Sequence, residues 1–280
     1  MPVVFGAIAP HGSLAIPEAC EPDEQHLAAA TQRGMRELGR RFDDARPEAV
    51  VLYTPHNVHV EGTLAVISAA RMEGSLASWE EGLGHVRLSV ACDSELATAV
   101  REELREAGLP AAAVSYGGND LVQAVMPMDW ATLIPLWYLG GRAEPQPPVV
   151  VIAPARELTA QQHVLAGAAV TRAVGRLDRR VAVIASADHG HGHRADGPYG
   201  YSADSAPFDQ QVVDIVSAGR LDRLLSLDPA FVAAAKADSW WQMLMLHGSL
   251  AEAGGAWRAD LISYEAPTYF GMLCAAFQPA

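Results

Sequence analysis

Half of this 280-residue chain is hydrophobic, with 24 glycines and 18 prolines, a composition that argues for an ordinary compact protein and excludes a disordered one. Acidic residues outnumber basic ones 33 to 20, for a formal charge of -13, and Lys236 is the only lysine. That balance offers no positive stripe for nucleic acid and would be repelled by an anionic membrane surface.

Taken in chain order, the first element is a valine-rich run, Val3 to Ala9, that suits a strand covered on both faces. Leu27, Thr31, Met35, Leu38 and Phe42 then recur at helical spacing. Ala49 to Thr54 predicts a second buried strand and Ala65 to Ala69 a further one. Leu96, Val100 and Leu104 mark a helix that Asp93 or Ser94 can cap. The proline-rich stretch Gly141 to Pro148 is the best linker candidate, but too short to divide the chain, so residues 1–280 read as a single domain. Val149 to Ala153 is another strand, and Val164, Ala168, Thr171 and Val174 line another helix. Val181 to Ala185 is the last of the central strands. Beyond it come a short helical stripe at Val212, Ile215 and Val216, a helix start at Asp228–Pro229, and a helix over Trp240 to Leu250. Strands alternating with helices predict an α/β fold, with a central, largely parallel or mixed sheet flanked by helices.

Cys20, Cys92 and Cys274 are too far apart to form a disulfide framework or a thiolate metal pair. No basic segment precedes the short apolar run at the N-terminus, and no run reaches membrane-spanning length. The expected compartment is cytoplasmic.

Three of the strands run into histidine-bearing loops: "IAPHGS" with His11, "VLYTPHNVH" with His56 and His59, and "SADHGHGH" with His189, His191 and His193. Ligands of open α/β sheets bind beyond the carboxyl ends of the strands, so these loops can converge on one ion if the strands are parallel neighbours. Two imidazoles and a carboxylate can cap one face of a ferrous ion, and a histidine that does not bind metal can move protons. Spacing alone does not say which histidine has which task. His26, His85, His163 and His247 read as structural or exposed residues.

In order and spacing, these motifs and the terminal "YEAPTYFGMLCAAF" resemble the class III (LigB-type) extradiol ring-cleavage dioxygenases over nearly the whole chain. The resemblance implies a LigB-like catalytic fold and a non-haem Fe(II) cofactor. The implied activity adds both atoms of O2 to a catecholic or 2-aminophenolic ring and opens it. It implies metal ligation by His11 and His56, with His59 in reserve, and by Asp238 in "AKADSWWQMLMLHGSL", with Glu265 as the alternative carboxylate. His191 takes the place of the active-site base, with His189 beside it. The candidate substrate-binding set is Asn57, Trp130, His193, Tyr199, Tyr201, Glu265 and Tyr269, with Tyr199 and Tyr201 chosen because they closely follow the histidine loop. Trp130 stands in "DWATLIPL" where many relatives carry a second acid/base histidine, and an indole cannot exchange protons as imidazole does. Arg194 and Arg258 are available for a substrate carboxylate. The implied partners are a small aromatic substrate and O2, within a homo-oligomer or beside a second subunit. Two other readings stay open: a zinc-dependent hydrolase on the same site, and a non-catalytic small-molecule binding or scaffold protein.

Overall fold

Runs of valine and isoleucine buried from end to end make the centre of the molecule. In the computed structural model, which describes residues 2–21, 23–78, 83, 85–117, 120 and 123–280, the elements in chain order begin with β1 (Val3–Ala9), α1 (Ala29–Ala45), β2 (Ala49–Tyr53) and β3 (Leu64–Ile67). Next come β4 (Arg71–Ser75), β5 (Arg87–Ala91), α2 (Ser94–Glu106), β6 (Ala111–Val114), β7 (Val125–Pro127) and α3 (Trp130–Tyr138). The remainder is β8 (Val149–Ala153), α4 (Ala160–Leu177), β9 (Val181–Ser186), α5 (Ser205–Ser217), α6 (Pro229–Ala234), α7 (Trp240–Ala253), β10 (Trp257–Glu265) and β11 (Met272–Pro279).

The main sheet has eight strands in the order β10-β11-β1-β9-β2-β8-β3-β6. Its four central strands, β1, β9, β2 and β8, are parallel neighbours. They are also the four runs that the sequence marks most strongly, because a strand covered on both faces has no polar side to show. On one side β8 meets β3 antiparallel, and on the other the β10–β11 hairpin joins β1 antiparallel, so the sheet is mixed. Helices α2, α4, α5, α6 and α7 cover one face. The other face is covered by α1, α3 and a small sheet of order β5-β4-β7. Each fully buried Val, Leu or Ile contributes roughly 1.5–3 kcal/mol, and the strand interiors are built almost wholly of such residues and alanine.

The helix signals hold with local shifts. Asp93, not Ser94, caps α2 through its side chain, which accepts from the Leu96 amide. Leu27 lies in turns that precede α1 and is exposed, so the apolar stripe outruns the helix at its N-terminal end. No described helix is long and apolar enough to cross a membrane.

Candidate functional site

Strand register brings the site together. Ala9 of β1 pairs with Ser186 of β9, and Tyr53 of β2 pairs with Ala185. Continuing those ladders past the strand ends sets His11 and His56 on either side of Asp188, all beyond the carboxyl edge of the sheet. Asp238 arrives from a separate segment, just ahead of α7. The buried Gln242 amide binds the backbone carbonyls of Asp238 (2.6 Å) and Ser186 (3.2 Å), so it ties that approach to the end of β9.

His11, His56 and Asp238 each offer a ligand atom, and these atoms all lie within 4.8 Å of one another. The Asp238 Oδ2 atom is 3.3 Å from His56 Nε2 and 3.6 Å from His11 Nε2. The His11 tautomer is set by a chain of two hydrogen bonds. Ser186 donates its hydroxyl proton to the Ala131 carbonyl (2.6 Å), so its oxygen accepts from His11 Nδ1–H (3.0 Å). In the neutral ring that leaves the Nε2 lone pair facing Asp238 and, at 3.3 Å, Asp188 Oδ2. A nitrogen lone pair against two carboxylates is repulsive unless a cation or proton lies between them.

The electrostatics carry the same message. Burial opposes a charge on His11, yet Asp188 and Asp238 outweigh it and raise its pKa to about 9. Burial also pushes Asp238 upward, and His11 and His56 overcome that to hold it well below the usual carboxylate range. Asp188 is raised, chiefly by burial. Asp238 Oδ1 is buried without a hydrogen-bond partner. Two imidazole nitrogens and one carboxylate with an orphaned oxygen make a donor set that fits a divalent metal ion.

A cavity of about 420 Å3 opens onto this cluster. His11, His56, Asp188, Asp238, His191, Trp130, Tyr199 and Tyr269 are among its walls. Phe270 stacks on the His191 ring at 5.3 Å between centroids and 17° between planes. Close packing here requires Gly12, since a Cβ at that position would lie 2.6 Å from the Phe270 ring. His191 Nδ1 donates to the His189 carbonyl (2.6 Å), which leaves Nε2 as the ring's acceptor. Trp130 lies tilted against His56, with ring centroids 4.6 Å apart.

The two histidines that flank His191 point elsewhere. His189 is fully buried, bonds Ser239 Oγ at 3.0 Å, and is held neutral by burial, which lowers its pKa to about 4. His193 Nε2 bonds Asp209 Oδ2 at 2.8 Å. The same buried carboxylate accepts from Tyr264 Oη (2.7 Å) and from the Gly190 amide (2.7 Å). Gly271 lies so close that a Cβ there would sit 2.0 Å from Asp209 Oδ2. Five consecutive amides fix the loop: His189 to Gly271 O, Gly190 to Asp209, His191 to Ala235 O, Gly192 to Ser205 Oγ, and His193 to Tyr269 O.

Other residues singled out in the sequence fall outside this cavity wall. His59 pairs with Glu157 at the surface (3.0 Å). Glu265 accepts from the Thr31 amide (2.6 Å) at the start of α1 and is not in the ligand cluster. Asn57 donates to the Pro127 carbonyl and lines a second cavity on the far side of His56 and Trp130. Tyr201 is 67% exposed. Arg194 and Arg258 bind their near neighbours Asp196 and Asp260. Sequence reasoning passed over Asp188, Ser186 and Asp209 as site residues. Asp188 carried a usable signal, because it follows its strand by two residues, as His11 does. Asp209 carried none, being one polar residue within a helix.

A model of the LigB family, described as the catalytic LigB subunit of aromatic ring-opening dioxygenase, matches residues 6–275. Protein CA_C1420 of Clostridium acetobutylicum is 22% identical over 259 residues, covering 91% of this chain and 53% of its own length. The chain thus spans about half the length of that curated relative. The crystal structure of protein JW3007 from Escherichia coli K12 aligns with a TM-score of 0.62 at 14% identity, covering 98% of this chain and 99% of that one. At that identity the likeness speaks for the fold alone.

Proposed function

The chain belongs to the LigB family of aromatic ring-opening dioxygenase catalytic subunits, and on that premise we propose that it is an extradiol dioxygenase that opens a catecholic or 2-aminophenolic ring. The observation that carries the reading is the meeting of His11, His56 and Asp238 in the wall of a cavity that His191 also lines. In this reading the three ligands hold Fe(II), which supplies a common binding point for the arene's adjacent heteroatoms and for dioxygen. Ser186 keeps the lone pair of His11 on Nε2, and Gln242 holds the Asp238 backbone to the end of β9.

His191 supplies the proton chemistry. Its Nδ1–H is committed to the His189 carbonyl, so Nε2 is the atom that takes a hydroxyl proton from the arene and later returns it. Trp130 acts as a wall against the substrate plane, and one histidine therefore serves both transfers. Leu14, Leu76, Ile134 and Phe270 give the cavity apolar surface that excludes bulk water. The unit assigned to this activity is the whole of residues 1–280 as one catalytic domain; strands from both ends of the chain share the main sheet. Cys20, Cys92 and Cys274 form no disulfide, in keeping with the cytoplasmic location we infer. We assign a homo-oligomer, with mass measurement of the purified complex as the check for a second subunit.

The deciding experiment reconstitutes metal-free protein with Fe(II) under argon, adds a panel of catechols and 2-aminophenols, and then admits oxygen. One O2 consumed per ring-opened product, with both oxygen atoms in that product by mass, is the expected result. Turnover of a hydrolysable substrate with zinc and no oxygen uptake would replace this reading with a hydrolase.

A further inference from the structure

The cavity wall is lopsided in charge. Glu24, Asp188 and Asp238 line it, and no arginine or lysine does among the described residues. The positions outside the described set hold no arginine or lysine either: 1, 22, 79–82, 84, 118–119 and 121–122 contain none. Arg36, Arg40, Arg142 and Arg156 line other hollows. A divalent ion in the ligand cluster offsets Asp188 and Asp238 and leaves Glu24 uncompensated. Glu24 is half-buried, and its carboxylate makes no ion pair among the described residues.

Two further features point to the same kind of ligand. A volume of about 420 Å3 lies toward the small end of the roughly 300–1,000 Å3 usual for small-molecule sites, which suits one ring with a short side chain. Tyr199, Tyr269 and Phe270 form a contiguous aromatic wall, with centroids 6.1 Å and 4.8 Å apart along it. Aromatic faces attract a cation and offer nothing to a carboxylate.

We propose that the arene accepted by this cavity carries no carboxylate and bears a protonated amine on a short side chain. Glu24 is its counter-charge, and the Tyr199–Tyr269–Phe270 wall lies alongside it. The inference rests on the ring-opening reading for the catechol half of the ligand, but its test does not depend on turnover. The full chain is loaded with Zn(II), a redox-silent dication, and binding is measured by calorimetry under argon. Three catechols of similar size serve as probes: 4-ethylcatechol, 4-(2-aminoethyl)catechol and 3,4-dihydroxyphenylacetate.

The expected order is cation about tenfold tighter than neutral, and anion about tenfold weaker than neutral. Glu24→Gln is expected to bring the cation-to-neutral ratio close to one. An anion that binds as tightly as the cation, or a ratio untouched in Glu24→Gln, overturns the proposal, as does failure of all three to bind. Oxygen uptake by the Fe(II)-loaded protein is read in parallel. If the binding order stands while uptake is absent, the specificity assignment survives and the ring-opening reading falls.

Discussion

The loops after β1 and β2 bring one imidazole each to the cavity, whereas the loop after β9 carries three and brings only His191. The contrast lies in what holds each ring. His11 and His56 aim their Nε2 atoms at Asp238. His189 and His193 serve structure instead: Ser239 holds the first at Nδ1 and Asp209 the second at Nε2. A cluster of histidines in sequence is therefore a poor count of ligands. The pairs on either side of His191 serve to hold it still.

Several substitutions can break that division of labour. The largest effect is expected from His191→Ala, a loss of about 100- to 10,000-fold in turnover with metal content unchanged. Loss of metal from this variant would move His191 into the ligand set. His11→Ala or Asp238→Asn is expected to weaken metal binding by more than about 100-fold, as read by metal content after dialysis. Ser186→Ala leaves the ligands in place but frees the His11 tautomer, and should cost about 10- to 100-fold in metal affinity. Normal affinity there would show that the serine does not orient the ring.

The structural histidines call for a stability readout. Asp209→Asn removes the charge shared by His193 and Tyr264, and should destabilise the fold by roughly 3 kcal/mol in denaturant unfolding. Tyr264→Phe deletes one donor and should cost about 1 kcal/mol. A pH dependence gives a further test. The folded pKa of His11 is raised to about 9, above its ordinary 6.5. In metal-free protein, the stability from its proton is complete below about 6.5 and is lost as pH rises through about 9. Metal-loaded protein should lack this decline, so melting curves at pH 7 and pH 9 with and without Zn(II) test it.

The central sheet was legible because β1, β2, β8 and β9 are short runs of branched apolar residues bounded by turn formers. Its edges were not. β10 is only partly buried along its length and shows no clean alternation. β4, β5 and β7 are short and get their partners from one another, which no local pattern reveals. Helix α3 is apolar on nearly every side and contains Pro135, so it shows no helical stripe. In the site, strand-end placement exposed His11 and His56, and family likeness supplied Asp238. Asp209 lay hidden because its importance comes from three donors that reach it from residues 190, 193 and 264.

Five successive backbone protons in the stretch from His189 to His193 each belong to an acceptor elsewhere in the chain. None can trade with deuterium unless several elements let go at once, so their exchange should be as slow as that of the innermost strands. That side of the cavity works as a fixed jaw. Any give in the cavity must then come from other parts of its wall, such as the segments that carry Glu24 and Leu76.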